Sequence, residues 1–310
     1  MFEKTGRVTM NTKKSFKLDH KLKFYILMLI FPLAQLAVFY FAVNVNSIKL
    51  AFEEYDMYNN SYTFVGLKNF SQVINVILNE SFMKTAFVNT FMIFGIGLII
   101  MIIPILLSYF IFKKYFLHGF FKVCLFLPSV ISSMSLVLCF KYGVDVAIPE
   151  IWKLVFGIEV KGLLSNNSTT LWVLIFYSVW FSAGSNFLLY LGAMSGISYS
   201  VIEAAQMDGV TPFQEFTKII FPLIFPTFST FLVTSFAGLF SNQLNLFTFY
   251  GERAEYRVYT IGYYLYKSVY MAQTADYPYL SALGLMLTCV AIPLCFITKK
   301  LLAKIGPSVE

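Results

Sequence analysis

Residues 200 to 222, Ser-Val-Ile-Glu-Ala-Ala-Gln-Met-Asp-Gly-Val-Thr-Pro-Phe-Gln-Glu-Phe-Thr-Lys-Ile-Ile-Phe-Pro, form a polar island between two long apolar runs. Their chemistry is that of helix caps and a turn rather than of bond-making. Ser200 with Glu203 three residues on reads as a capping box at a helix start, and Gly209 can take the left-handed conformation that closes the helix. Thr211 caps again, Pro212 fills the first helical position, and Gln214 completes a second box. Ala204 and Ala205 leave room for another surface, Glu203 offers a charge to a basic one, and Asp208 adds a second acid beside Gly209. The plainer reading is that Glu203 caps its own helix and Gly209 permits a turn, since caps are common at helix starts.

A second group lies downstream. Asn242, Gln243 and Asn245, with Ser229, Thr230, Thr234, Ser235 and Ser241, put hydrogen-bonding side chains on an otherwise apolar run from Leu223 to about Phe249. In lipid each unpaired group costs about several kcal/mol, so they must face a partner helix or a wet path. Asn242, Gln243 and Asn245 are the candidate path residues.

Covalent chemistry has no candidates. The sequence has no Gly-rich phosphate loop ending in Lys-Ser or Lys-Thr, no His-Glu-x-x-His and no Gly-x-Ser-x-Gly. Cys124, Cys139, Cys289 and Cys295 all fall within apolar runs without a Cys-x-x-Cys, and His20 and His118 stand apart, so neither a disulfide framework nor a metal site is expected. No apolar run pairs carboxylates, or a carboxylate with His, which argues against a proton-driven carrier.

The elements that must position these residues are membrane helices. Of 310 residues, 58% are hydrophobic and only 13% charged, with a mean hydropathy of +0.71. A soluble domain carries about 25% charge, so too few charges remain to cover a soluble surface. A basic segment from Lys4 to Lys23 precedes the uncharged run Phe24 to Val43, long enough to cross a core of about 30 Å. A signal peptide is the competing reading, but its apolar region spans only about 7–15 residues. Further runs are Ala86 to Phe112, Val123 to Phe140, Leu171 to roughly Ile197, Leu223 to about Phe249, and Leu280 to Thr298, which makes six spans. Ser129, Ser132, Ser133 and Ser135 read as close-packing residues, and Asn186 as a bundle-facing or cavity-lining amide. With both termini inside, the inner segments hold fourteen Lys and Arg with a net charge of +8, and the outer loops nine with a net of −1. That asymmetry follows the positive-inside rule and puts the Glu203 stretch in the cytoplasm. It accounts for the net charge of +7 without nucleic acid.

The order Glu203-Ala204-Ala205, three residues, Gly209, nine residues, Ile219, one residue, Phe221-Pro222 resembles the EAA loop of importer-type ATP-binding-cassette (ABC) permeases, which usually have Leu where this chain has Phe221. Phe64-Val65-Gly66-Leu67-Lys68-Asn69-Phe70, with Asn89-Thr90 and Phe126-Leu127-Pro128, resembles sugar-importer permeases of the maltose and glycerol-phosphate type. The Gly-Gly-Pro often found in the family near residues 251 to 279 is missing.

The resemblance implies an all-α integral membrane protein with the type I ABC importer permease fold. Residues 85–298 would be the permease domain with its coupling loop at 200–222. Residues 1–84 would be a basic tail, first span and external loop, and 299–310 a cytoplasmic tail. It implies a non-enzymatic subunit in which Glu203, Ala204, Ala205, Asp208 and Gly209 couple to an ATPase. The implied partners are a second, different permease, a dimer of ABC ATPase subunits that bind the ATP, and an extracellular solute-binding protein. The cargo would be a sugar or oligosaccharide. The alternatives are an ABC permease for another solute, a stand-alone carrier or channel that would transport without an ATPase, and a membrane-embedded enzyme.

Overall fold

A computed structural model describes residues 20 to 306, with side chains from Lys23 onward. Most of the basic N-terminal segment and Glu310 lie outside the described residues. Two compact units divide at Lys49.

From Lys23 onward, the described residues of the first unit belong to the helix α1 (Lys23–Leu50), which is long and apolar enough to cross a membrane. Residues 36 to 42 widen it into a π-turn a few residues after Pro32, whose ring and missing amide break the regular ladder.

The second unit begins with a hairpin, β1 (Glu53–Asp56) paired antiparallel to β2 (Ser61–Phe64), followed by the amphipathic helix α2 (Lys68–Asn79). Here the Gly66 to Phe70 segment has a structural task. The buried Asn69 amide donates to the carbonyls of Ala51 and Glu53 at 3.0 and 2.7 Å, and Phe70 packs on Phe52 with ring centroids 5.1 Å apart. At the hairpin tip, the backbone amide of Tyr58 and then the side-chain amide of Asn59 hold the Asp56 carboxyl below its ordinary pKa.

The remaining helices are α3 (Ser81–Phe112), α4 (His118–Val130), α5 (Ser133–Phe156), α6 (Thr170–Ser195), α7 (Tyr199–Met207), α8 (Pro212–Ala237), α9 (Leu246–Tyr250), α10 (Ile261–Met271) and α11 (Tyr277–Ile305). Among the described residues, α1, α3, α6, α8 and α11 qualify as membrane spans, and a sixth arises if α4 and α5 count as one.

Two spans depart from the sequence expectation. The run 123 to 140 is not straight, because α4 and α5 meet at 107°. Pro128 has no amide to donate, Ile131 turns extended, and Ser132 becomes the start of the next helix. The fifth span does not reach Phe249. It ends at Ala237, and Gly238 to Asn245 is an irregular break before α9. The Asn242 side chain draws the chain out of the helix by accepting from the amide of Leu244 at 2.9 Å, and Leu244 and Asn245 both sit at positive φ.

The buried side chains form two clusters. One, around Met83, Tyr177, Leu244, Tyr263 and Leu283, fills the bundle end that carries α9 and α10. The other joins Ile105 and Tyr109 of α3, Tyr190 and Met194 of α6, Ile202 of α7, and Ile220 and Ile224 of α8 at the opposite end. Ser108, one turn before the end of α3, ties that helix to α6 by donating to the carbonyl of Phe187 at 2.8 Å.

Candidate docking helix and membrane cavity

The 200–222 stretch folds as a projecting helix, a left-handed turn and a re-entry. The expected first capping box does not form. α7 starts two residues earlier than the box requires, with Ser198 at its N-cap, so Ser200 lies inside the helix and its hydroxyl meets that of Ser198 at 2.8 Å. Gly209 closes the helix at φ +70°, with its amide donating to the carbonyl of Gln206. The second box is complete: the Gln214 amide donates to Thr211 Oγ1 at 3.3 Å, and the Thr211 amide to Gln214 Oε1 at 3.0 Å. Pro212 opens α8 as expected.

Burial divides the five candidate coupling residues. Glu203, Ala204, Asp208 and Gly209 are exposed, whereas Ala205 is buried with Ile202 on the inward face. Ala205 therefore makes room for packing inside this chain, and close approach from outside falls to Ala204. Sequence reasoning missed two contributors to the exposed surface. Met207 is 89% exposed and Phe213 76%. Along the chain, Asp208 and Gly209 therefore lie between two exposed apolar side chains.

Midway along the bundle, bordered by Ile93, Ile175, Leu239 and Leu244 of the first apolar cluster, α3, α6 and the end of α8 enclose a cavity of about 290 Å³. Ser178, Ser182 and Asn186 line it from α6 at a spacing of four, so they occupy one helical face. Ser235, Asn242, Thr90 and Thr260 supply polar groups from the other walls, among apolar neighbours such as Ile93, Phe94 and Leu239. No Asp, Glu, Lys or Arg is among the lining residues. Of the three candidate path residues only Asn242 reaches the cavity. Gln243 and Asn245 are absent from its walls, and Gln243 Oε1 is enclosed without a hydrogen-bond partner among the described residues. Asn186 takes the cavity-lining of its two expected placements, and Ser178 and Ser182, which the sequence did not single out, share its helical face.

One wall of the cavity is pinned by side chains reaching across the fold. The Asn89 amide donates to the carbonyls of Arg257 and Tyr259 at 2.8 and 2.9 Å. Thr90 Oγ1 accepts from the Ile261 amide at 3.0 Å, and Thr260 Oγ1 donates to the carbonyl of Asn242 at 2.8 Å. Gly262 is required here, because a Cβ would lie 2.6 Å from the Asn242 carbonyl oxygen. Asn89-Thr90 thus clamps the 257–261 loop against the break in the fifth span. Beside α9, Lys141 donates to the carbonyl of Phe249 at 3.1 Å and lies over the Tyr250 ring, while burial pushes the Tyr250 phenol up to about 12.

Residues 95–310 match the family model described as "Binding-protein-dependent transport system inner membrane component". Over 190 residues, 60% of this chain and 64% of the relative, the sequence is 26% identical to the probable starch degradation products transport system permease protein AmyD of Thermoanaerobacterium thermosulfurigenes. Over 220 residues, 69% of this chain and 72% of the relative, it is 26% identical to the sn-glycerol-3-phosphate transport system permease protein UgpA of Yersinia pestis. The chain spans between 52% and 64% of the length of the first curated relatives it matches. A crystal structure of a bacterial ABC transporter involved in the import of the acidic polysaccharide alginate shares the fold, with a TM-score of 0.75 and 20% identity over 93% of this chain and 97% of that one.

Proposed function

The chain belongs to the family of binding-protein-dependent transport system inner membrane components, and from that premise we propose that it is one permease subunit of an ATP-driven importer for a sugar or oligosaccharide. A solute-binding protein delivers the cargo, a second and different permease completes the path, and a dimer of ABC ATPase subunits binds the ATP. The termini and α7 lie in the cytoplasm. Residues 85–298 act as the transport domain, with the preceding segment an addition to it.

The exposed patch formed by Glu203, Ala204, Met207, Asp208, Gly209 and Phe213 supports docking of the ATPase. The cavity supports the cargo class. Its polar groups are hydroxyls and amides, which match a hydroxylated neutral solute and offer no counter-charge to an anion or an amino acid. ATP does work here only if it binds the two conformations of the assembly with different affinity, so α7 must be held differently in each.

The single observation that carries the reading is the uncharged, hydroxyl- and amide-lined cavity behind a projecting docking helix. Its test is uptake of a panel of radiolabelled neutral oligosaccharides and charged solutes by cells with and without the chain. Loss of neutral sugar uptake alone is expected. Loss confined to a charged solute contradicts the cargo assignment, and uptake by the chain without an ATPase contradicts the importer assignment.

A further inference from the structure

Beyond the docking patch, the structure holds a buried charge pair that docking does not require. The Glu215 carboxylate is 97% buried, since its side chain retains 3% exposure, and Oε2 accepts from Lys113 Nζ at 3.0 Å. Lys113 ends α3 and is itself only 16% exposed. Tyr109, one turn earlier, donates to the carbonyl of Pro212 at 3.1 Å and approaches Glu215 Oε1 at 3.5 Å. Its ring lies 5.2 Å from that of Phe216. Two side chains from α3 therefore grip both ends of the Pro212–Glu215 turn, immediately after the docking helix.

Three physical points give the grip a direction. Lys113 sits where the helix dipole of α3 favours a cation, so its position is set by α3. A buried carboxylate deprived of its partner is strongly disfavoured, so the turn cannot leave α3 cheaply. α3 also lines the cavity, from Thr90 to Pro104.

We propose that Lys113, Glu215 and Tyr109 form a latch that makes α3 follow the docking helix, so that displacement of α7 by the ATPase is passed to the cavity wall rather than absorbed in the Gly209 turn. These are positioning residues, and the inference rests on α7 being the docking element.

The test uses the complete importer, with its second permease and ATPase pair, in proteoliposomes. Native cysteines are replaced, and Ser178→Cys is introduced as a cavity reporter. Its labelling rate by a small thiol reagent is measured with and without ATP and vanadate. In the parent complex trapping should change that rate by about tenfold, the scale of a shift of roughly 1.4 kcal/mol between states. Glu215→Lys or Lys113→Glu should abolish the change while the ATPase still co-purifies. The exchanged pair Lys113→Glu with Glu215→Lys should restore at least half of it. Glu215→Gln, which keeps a hydrogen bond to Lys113, should give an intermediate response and serves if the reversals do not fold.

An unchanged response in a single reversal overturns the latch, as does an exchanged pair that fails to recover. Loss of the ATPase from the reversal variants also overturns it, because the pair would then only support docking. Failure of the importer reading looks different: the parent complex itself gives no response to trapping, and both proposals fall together.

Discussion

The two ends of the bundle differ in what shapes the chain there, although distant side chains, Tyr109 and Lys113, also hold the turn after α7. At the docking end, residues 200 to 222 make a projecting helix from local instructions: a left-handed Gly209, a Thr211–Gln214 box and Pro212, all within a few residues of one another. At the other end the break at 238–245 and the 257–261 loop depend on side chains far away in sequence. Asn89 meets residues about 170 positions distant. A locally specified helix can be displaced as a unit without losing its shape. A loop held by remote donors is tied to whatever carries those donors. Under the proposed coupling, the moving part lies at the α7 end and the restraint at the other.

The largest expected effects fall on the docking end. Gly209→Val has open space around its Cβ position, so its cost is backbone strain, about 1–2 kcal/mol for a left-handed L-residue. Together with Glu203→Lys, it should lower sugar uptake about tenfold or more while the chain still inserts at parent levels, as read by transport assays and membrane immunoblots. Parent-rate uptake by either stably assembled variant would remove the docking assignment.

Next comes the restraint. Asn89→Leu leaves the buried Tyr259 carbonyl unpaired, at about 1–3 kcal/mol for an unsatisfied group, and the partly buried Arg257 carbonyl with it. The unfolding midpoint in detergent should fall, and Ser178→Cys should become easier to label from the side opposite α7. A lower midpoint without faster labelling would make the clamp purely structural.

Smaller effects are expected in the cavity. Ser182→Val and Asn186→Leu should raise KM for sugar with less change in the maximal rate, whereas Gln243→Ala should change stability and leave KM alone. Equal KM effects at Gln243 and Ser182 would return Gln243 to the path.

The smallest effect is at the hairpin. The lowered pKa of Asp56 means its contribution is present above the ordinary carboxylate value and lost only as pH falls through the lowered one. Any small difference between Asp56→Asn and the parent should therefore stay constant across about pH 5 to 8, and a difference in uptake that changes within that window would contradict this reading of Asp56.

The contrast also explains what could be read from the chain beforehand. The span run Leu171 to roughly Ile197, the Gly209 turn and the second capping box are short-range features, and they stand where the sequence put them. The kink after Pro128 and the early end of the fifth span were legible only in part. Pro128, Gly238 and Asn242 are each tolerated inside membrane helices when neighbours satisfy the freed groups, so they do not force a break. The clamp by Asn89 was invisible, because its acceptors are backbone carbonyls that leave no mark in the sequence. The cavity lining was missed for a related reason. Ser178 and Ser182 carry no charge, and a packing serine looks the same as a solute-facing one until the opposite wall is known. Ala205 shows the converse: its position beside Ala204 suggested a shared role, but neighbours on a helix face different ways.

The central claim is that α7 stands on the cytoplasmic side and is covered by the ATPase. Met207→Cys, at a strongly exposed position of that helix, tests it directly with a membrane-impermeant thiol reagent. The expected result is no labelling in intact cells, labelling in inverted vesicles stripped of the ATPase, and protection when the ATPase is restored. Labelling in intact cells would contradict the account.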